Sequence, residues 1–237
     1  MTSRSAVWHD VELGAYDADL PLWLELAAAA NGPILDLGAG TGRVAAHLAA
    51  HGHELVALDM DPDLLAILAQ RAPGVTTVRA DARSFSLERR FPLVIAPMQL
   101  AHIVGGRAGR AAMLERVHAH LTGGGTFAAA LTDPMEALEE RGDPFPLPDM
   151  LERDGWVFSS QPLSVRENNC SVAMERRRQA VSPTGEIDVE TVTIALDVFS
   201  SEQFEDEVRV AGLEPVGRRP VPESPDHIGS TVVLCRR

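Results

Sequence analysis

Lysine is absent from this chain of 237 residues, so all 21 of its basic residues are arginines. Without lysine, no side-chain amine can form a Schiff base, which excludes covalent attachment of pyridoxal phosphate. Acidic residues number 34, which gives a net charge of -13. An acidic domain repels the phosphate backbone of nucleic acids unless it carries a local basic stripe. The run 176–178 (RRR) is too short for such a stripe, so we expect no nucleic-acid partner.

Cysteines and long apolar segments are also scarce. Cys170 and Cys235 are far apart, and no Cys or His cluster has zinc-ligand spacing, so we expect reduced thiols and no metal. No apolar run approaches the ~18 residues that cross a bilayer. The first nine residues lack the basic start and apolar block of a secretory signal. We therefore expect a cytoplasmic monomer or homodimer with no membrane partner.

The apolar segments of the first half predict an α/β fold with a doubly wound, mostly parallel sheet. Helical periodicity over 14–31 is followed by buried strands at 34–37, 55–58, 75–80, 91–96 and 126–131, with helices between them. Buried strands that alternate with helices are typical of a parallel sheet covered on both faces.

The second half has a different pattern. Polar and apolar residues alternate at period two over 156–167, 170–181 and 186–198, which predicts three antiparallel strands. Ser200 and Gln203 have the spacing of a capping box and predict a helix, followed by strands near 213–216 and 230–234. We interpret 1–237 as one domain: an N-terminal lid and helix (1–31), a cofactor-binding core (33–132), an insert that covers the substrate site (155–198), and a closing helix with two strands (200–237).

A glycine-rich turn, 38–42 (GAGTG), follows the first predicted strand. The backbone N–H groups of such a turn and the helix that it opens bind ligands, but dinucleotide enzymes use a similar turn. Asp36, two residues before the turn, would repel a pyrophosphate but suits a ligand with an ammonium and a sulfonium. The glycine spacing also differs from Gly-x-Gly-x-x-Gly. Both facts favour S-adenosylmethionine over NAD.

Carboxylates end the next two predicted strands. Asp59 and Asp81 would face the ligand crevice, because strand ends of an open α/β sheet do so. Asp59 can accept from both ribose hydroxyls and Asp81 from the adenine amine, while Met60 and Ala82 would supply apolar contact to the ring.

Three segments, 34–48 (ILDLGAGTGRVAAHL), 58–61 (LDMD) and 80–82 (ADA), resemble the successive motifs of class I (Rossmann-like) S-adenosylmethionine-dependent methyltransferases. The similarity covers roughly residues 15–135, with a looser match at the final helix and strands. It implies a seven-stranded sheet with an antiparallel last strand, and methyl transfer from S-adenosylmethionine, which leaves S-adenosylhomocysteine. The insert is similar, less specifically, to that of glycine N-methyltransferase and amino-sugar N-methyltransferases. We assign cofactor binding to Tyr16, Asp36, Gly38, Ala39, Gly40, Gly42, Arg43, Asp59, Met60, Asp81, Ala82, Pro97 and Met98.

The methyl-acceptor side is less clearly marked. The segment 96–102 (APMQLAH) lacks the Asn/Asp-Pro-Pro-aromatic motif of enzymes that methylate nucleic-acid bases or protein glutamine. Resembling small-molecule enzymes often have a histidine where His102 stands, and an imidazole there can act as the base that takes a proton from the acceptor. The alternative is a histidine satisfied by backbone at a helix end. Gln99 is a further candidate substrate contact.

Two features of the flanking regions complete the candidate site. Tyr16, the only tyrosine, stands where resembling enzymes use a lid over the cofactor; the alternative is a packing tyrosine. Arg176 and Arg178 share one strand face and can bind a substrate carboxylate, or else pair with Glu175 or Glu190.

Three functions remain open from the sequence. The first is methyl transfer to a small metabolite or natural product, with nitrogen ahead of oxygen as the acceptor atom. The second is a nucleotide-dependent oxidoreductase, which Asp36 disfavours. The third is a non-catalytic S-adenosylmethionine-binding or regulatory protein.

Overall fold

A computed structural model describes residues 3–132, 147–168, 170–223 and 228–237. The chain forms two compact units. The core unit consists of Asp17–Thr132 and Phe199–Arg237, and the insert unit of Met1–Tyr16 and Asp133–Val198. The segment predicted over 1–31 is thus divided at Tyr16. The single-domain interpretation, with 155–198 covering a substrate site, stays a prediction.

The described residues form helices and strands in the following chain order: α1 (Arg4–Leu13), α2 (Leu20–Ala29), β1 (Ile34–Leu37), α3 (Arg43–Ala50), β2 (Leu55–Asp59), α4 (Pro62–Arg71), β3 (Thr76–Arg79), β4 (Phe91–Ala96), α5 (Leu100–Ile103), α6 (Gly106–His120), β5 (Leu121–Leu131), β6 (Asp149–Arg153), β7 (Trp156–Asn168), β8 (Ser171–Val181), β9 (Ile187–Asp197), α7 (Ser201–Val210), β10 (Glu214–Val221) and β11 (Ser230–Arg236). No helix that the structure describes is long and apolar enough to cross a membrane.

The core unit is built on a seven-stranded sheet of order β10-β11-β5-β4-β1-β2-β3. Strand β1 pairs in parallel with β2 and β4, while β11 is antiparallel to both β10 and β5. All four residues of β1 are buried, as expected for a central strand covered by helices on both faces. The predicted doubly wound sheet with an antiparallel last strand is confirmed.

Local capping signals set the starts of two helices in the core unit. At α4, the Asp61 side chain accepts from the Asp63 backbone N–H at 2.8 Å, and Pro62 occupies the first helical position. At α7, Ser200 and Gln203 form the reciprocal capping box, with bonds of 3.2 Å and 2.8 Å. The start of α7 was predicted from its capping box, and Asp61-Pro62 is a local signal of the same kind for α4.

The insert unit has a four-stranded antiparallel sheet of order β6-β7-β8-β9, where the sequence predicted three strands. The additional strand, β6, precedes a two-residue turn at Asp154 and Gly155, both with positive φ (52° and 75°). This Asp-Gly turn matches the right-handed twist of a hairpin and was the available signal for β6.

Helix α1 of the insert unit was also not predicted. The Ser3 side chain accepts from the Ala6 N–H at 3.4 Å, which caps a helix whose Val7, Trp8 and Val11 are buried. The Trp8 ring meets Phe158 of β7 edge-on at a centroid distance of 5.7 Å. The helix therefore gains its stability by packing on the sheet.

The two cysteines are unpaired and differ in environment. Cys170 is exposed beside the start of β8, whereas Cys235 is buried on β11. Burial raises the pKa of the Cys235 thiol to about 12.

Candidate active site

The candidate site lies at the carboxyl ends of three neighbouring strands of the core unit. In the register of the sheet, Asp36 of β1 stands beside Ala57 of β2 and Ile95 of β4. Strand order reverses at β1, and ligands of open α/β sheets bind at such a reversal. The structure thus brings the ends of β1, β2 and β4 together, and the predicted cofactor residues other than Tyr16, Asp81 and Ala82 lie in or shortly after these strands.

The glycine turn is tied to the end of β2 by two backbone donors. The Ala39 N–H donates to the Leu58 carbonyl at 3.0 Å, and the Gly40 N–H donates to Asp59 Oδ2 at 2.9 Å. Gly38, Gly40 and Gly42 have φ values of 67°, 56° and 90°, in the left-handed region that favours glycine. The sequence therefore forms a tight turn in which Asp59 orients the backbone.

Gly42→Ala is expected to destabilise the core unit by about 2–4 kcal/mol. A Cβ on Gly42 would lie 2.1 Å from Cδ1 of Leu68, which is fully buried, and φ is 90° there. Urea unfolding of the variant measures the loss. Gly52→Ala is the matched control, because Gly52 has nearly the same φ (88°) but nothing within 4 Å of the added Cβ. Equal losses in both variants would show that the contact with Leu68 has no effect.

Asp36 is a buried carboxyl beside this turn, with 1% of its surface exposed. Burial, with the nearby carboxylates of Asp59 and Asp19, raises its pKa to about 8, although Arg43 acts in the opposite direction. Its Oδ1 has no hydrogen-bond partner among the described residues. A buried, unpartnered carboxyl oxygen fits a ligand ammonium group and disfavours a pyrophosphate.

Asp59 is the last residue of β2, and backbone N–H groups orient both of its carboxylate oxygens. Oδ2 accepts from Gly40 and Oδ1 accepts from the Asp61 N–H at 2.9 Å. Each oxygen keeps lone-pair capacity for a further donor, so the carboxylate can still accept from two hydroxyls. The next residue, Met60, is 58% exposed, which leaves an apolar side chain open to contact with a ligand ring.

Arg43 at the start of α3 is paired within the core unit. Its guanidinium donates to both oxygens of Asp19, at 2.5 and 2.8 Å, and the Trp23 indole N–H also donates to Asp19 at 2.8 Å. Asp19 is buried and was missed by sequence reasoning, although its place before Pro21 at the start of α2 marks it as a candidate N-cap. The charges of Asp19, Asp59 and Arg43 all act on Asp36, so three carboxyls share this region with one guanidinium, which favours a cationic ligand.

Asp81, after β3, is paired with Arg83. The Arg83 side chain donates to both oxygens at 2.6 to 3.0 Å, and its backbone N–H donates at 2.8 Å. These bonds hold the pKa of Asp81 below its usual value. Arg83 was not singled out in the sequence, where the run Asp-x-Arg was the available signal. The neighbouring Ala82 is buried.

The segment after β4 turns sharply. Pro97 is buried, and Met98 has a φ of 58°, unusual for a residue other than glycine. Gln99 is half-buried and begins the short helix α5. Backbone strain of this kind is concentrated at functional sites, which supports Met98 and Gln99 as candidates.

His102 on α5 is 1% exposed and accepts the Thr132 backbone N–H at Nε2, at 3.1 Å. Its ring stacks on Phe199 with a centroid distance of 4.5 Å. An Nε2 lone pair that accepts a hydrogen bond is not available to take a proton. The geometry favours the alternative of a backbone-satisfied histidine, and the base role stays a prediction.

Arg176 and Arg178 of the insert unit are paired with acidic residues. Arg178 donates to both oxygens of Glu12 on α1, at 2.8 and 2.9 Å. Arg176 contacts Asp149, Ser160 and Glu12. The suggested partners Glu175 and Glu190 are therefore wrong, because α1 brings Glu12 onto this strand face. A substrate role for the two arginines, and the lid role of the buried Tyr16, stay predictions.

Comparison with known proteins bears directly on this site. Residues 34–125, which include the glycine turn, Asp36, Asp59 and Asp81, match the family described as a methyltransferase domain. A curated relative, the dTDP-3-amino-3,6-dideoxy-alpha-D-glucopyranose N,N-dimethyltransferase of Streptomyces fradiae, is 27% identical over 196 residues, or 83% of this chain and 75% of the relative. The chain contains an S-adenosylmethionine-dependent methyltransferase domain, and its fold is that of class I methyltransferases. The oxidoreductase and the non-catalytic hypotheses are thereby wrong.

Other similar proteins agree with this assignment. The cypemycin N-terminal methyltransferase of a Streptomyces species is 28% identical to this methyltransferase over 171 residues, which cover 67% of the chain and 70% of the relative. The S-adenosylmethionine-bound amino pentose methyltransferase of Micromonospora echinaspora has a TM-score of 0.75 at 22% identity, over 98% of this chain and 96% of that one. The glycopeptide N-methyltransferase MtfA, solved with S-adenosylhomocysteine, has a TM-score of 0.62 at 23% identity, over 91% of this chain and 86% of that one. These two structures share the fold.

Proposed function

We propose that this methyltransferase methylates an amine nitrogen of a small natural product, either an amino sugar or a peptide N-terminus. The observation that carries the proposal is the match to the Streptomyces fradiae N,N-dimethyltransferase, which covers 83% of the chain and so extends well beyond residues 34–125. The second curated relative also methylates an amine. The sequence analysis favoured nitrogen over oxygen as the acceptor atom, and both relatives support nitrogen.

The proposed cofactor contacts follow from the free acceptor groups of the core unit. S-adenosylmethionine supplies an electrophilic methyl group at its sulfonium. Asp36 would hold the ammonium of the methionine part, Asp59 the ribose hydroxyls, and Met60 one face of the adenine. Asp81 would accept from the adenine amine with the lone pairs that Arg83 leaves.

The acceptor needs positioning more than chemical assistance. An amine attacks the methyl carbon in line with the breaking carbon–sulfur bond, and it must be unprotonated to do so. Orientation of the two reactants can supply on the order of 7–11 kcal/mol of the barrier. We therefore assign Gln99 to the side of the site where the acceptor lies, because it follows β4 and the strained backbone of Met98.

Methylation of an amine is tested with purified protein and labelled S-adenosylmethionine. The probes are dTDP-3-amino-3,6-dideoxy-alpha-D-glucopyranose and a short peptide with a free N-terminus. The matched controls are the sugar with a hydroxyl in place of the amine and the N-acetylated peptide. We expect label in one of the two amines and in neither control, by mass spectrometry. Equal labelling of the hydroxyl sugar would make oxygen the acceptor, and no labelling of either amine would exclude both substrate classes.

Localisation and assembly complete the proposal. We propose a cytoplasmic enzyme, a monomer or a homodimer, that has no nucleic-acid partner. The unpaired cysteines are compatible with a reducing compartment. The net charge of -13 disfavours binding to a phosphate backbone.

A further inference from the structure

Two of the three chain connections between the units lie next to the same side chain. Thr132 is the last residue of the core unit before Asp133–Val198, and Phe199 is the first residue after that segment. His102 on α5 contacts both. Its Nε2 accepts the Thr132 backbone N–H at 3.1 Å, and its ring stacks on Phe199 with an interplanar angle of 21°.

Phe199 is held by a second group of the core unit. The Arg110 guanidinium of α6 lies over its ring at 4.0 Å from the centroid. Arg110 is itself buried and donates to both oxygens of Glu207 on α7, at 2.7 and 2.9 Å. Phe199, where the chain returns to the core unit, thus contacts His102 of α5 and Arg110 of α6. Glu207 of α7 holds Arg110 in place.

The Thr132 N–H donates to His102 Nε2, and Thr132 is half-buried. Without this acceptor, the amide loses a hydrogen bond that protects it from exchange with solvent. His102 therefore supplies one bond that the Thr132 amide requires and one ring surface that Phe199 stacks on. Both are lost together if the side chain is removed.

We propose that His102 is a positioning residue that holds Thr132 and Phe199, the core-unit residues on either side of Asp133–Val198, and that methyl transfer to the acceptor depends on these two contacts, which we call the clasp. The claim that turnover depends on the clasp rests on the proposed function, whereas the existence of the clasp does not. His102 acts through Thr132 and Phe199, so the cofactor contacts at Asp36 and Asp59 do not need it. When the clasp is broken, kcat/KM for the acceptor should fall, whereas the affinity for the cofactor should stay the same.

The core unit contains a matched control for this arrangement. His120 is also buried, its Nε2 accepts the Leu87 backbone N–H at 2.9 Å, and its ring lies 4.5 Å from that of Phe85. Phe85 and Leu87 belong to the loop between β3 and β4, which is connected to neither end of the insert unit. A variant of His120 loses the same kinds of contact without touching Thr132 or Phe199.

The test uses three variants of the full chain: His102→Gln, His102→Phe and His120→Phe. Glutamine carries an amide oxygen near the position of Nε2, so it can still accept from Thr132, whereas phenylalanine keeps only the ring. Hydrogen exchange of the Thr132 amide is measured first, since it requires no acceptor. We expect exchange about tenfold faster or more in His102→Phe, near wild type in His102→Gln, and near wild type in His120→Phe.

Kinetics and binding then separate positioning from base catalysis. With whichever probe amine is methylated, we expect kcat/KM to fall about tenfold or more in His102→Phe and to recover to within about threefold in His102→Gln. S-adenosylhomocysteine affinity by calorimetry should stay within about twofold in both. His120→Phe should leave kcat/KM unchanged.

Two results would overturn the proposal. Unchanged Thr132 exchange in His102→Phe would show that there is no clasp, whether or not an acceptor amine has been found. Equal loss of turnover in His102→Gln and His102→Phe, with wild-type Thr132 exchange in the glutamine variant, would instead make His102 a base. Phe199→Leu covers the case in which His102→Phe does not fold: it removes the stacked ring but keeps Thr132 bonded, and it should also lower kcat/KM.

Discussion

Asp36→Asn is expected to stabilise the folded protein at neutral pH. The unfolded chain releases the Asp36 proton with the ordinary pKa of 3.8, whereas burial in the fold raises that pKa to about 8. Between these pH values the folded state binds the extra proton, so this group makes the free energy of unfolding fall as pH rises, by about 1.4 kcal/mol per pH unit. Asparagine carries no charge at any pH, so the free energy of unfolding of the variant does not fall in this way. The expected gain at pH 7 is about 2–4 kcal/mol.

Urea unfolding at pH 5, 7 and 8 measures this effect. The difference between Asp36→Asn and the wild type should grow with pH, because the wild type loses stability and the variant does not. Asp206→Asn is the control, since Asp206 is an exposed carboxylate of the same unit that pairs with Arg209 on α7. A difference independent of pH would show that Asp36 titrates normally in the fold.

The same substitution is expected to weaken cofactor binding. Removal of the buried carboxylate leaves the ligand ammonium without its charged acceptor, and we expect the Kd for S-adenosylmethionine to rise about tenfold or more. In the wild type, Asp36 must release its proton to hold a cation, so affinity should increase from pH 6 to pH 7 by up to about tenfold. Calorimetry at both pH values tests this. Equal affinity at the two pH values in the wild type would contradict the assignment of Asp36 to the ammonium.

Asp59→Ala is expected to lower cofactor affinity by about tenfold to a hundredfold, because two charge-assisted bonds to the ribose are lost. The variant also frees the N–H groups of Gly40 and Asp61, which Asp59 now orients. Calorimetric titration with S-adenosylhomocysteine measures the loss.

Two further variants make the Asp59 result specific. Asp59→Asn keeps one acceptor oxygen and should lose less affinity than the alanine variant. Asp63→Ala removes an acidic side chain from the first turn of α4, four residues on, and should bind the cofactor as the wild type does. Wild-type affinity in Asp59→Ala would refute its contact with the ribose.

Most of the core unit could be predicted from local signals in the sequence. Ile34, Leu35 and Leu37 place apolar side chains on both faces of β1, so they indicate a central parallel strand. Asp61-Pro62 and Ser200 with Gln203 specify helix starts through bonds within a few residues. The glycine turn and the carboxylates at the ends of β2 and β3 led to the predicted cofactor site, since strand ends of a parallel sheet share one edge.

The missed features depend on contacts between residues far apart in the chain. Helix α1 is only ten residues long and is held by the packing of Trp8 on Phe158 of β7, a contact that the local sequence does not show. The partner of Arg178, Glu12, is 166 residues away. His102 likewise contacts a backbone amide 30 residues on, which no pattern in 96–102 indicates. The histidine side chain suggested a catalytic base at position 102, but only the fold shows that its Nε2 already accepts a hydrogen bond.

The contrast between the two thiols has a practical consequence. Because Cys235 is buried and resists ionisation, a maleimide dye applied near neutral pH reacts at Cys170, beside the β7–β8 hairpin turn. The chain thus has a single reactive attachment point for a fluorescent reporter, and this point lies in the insert unit.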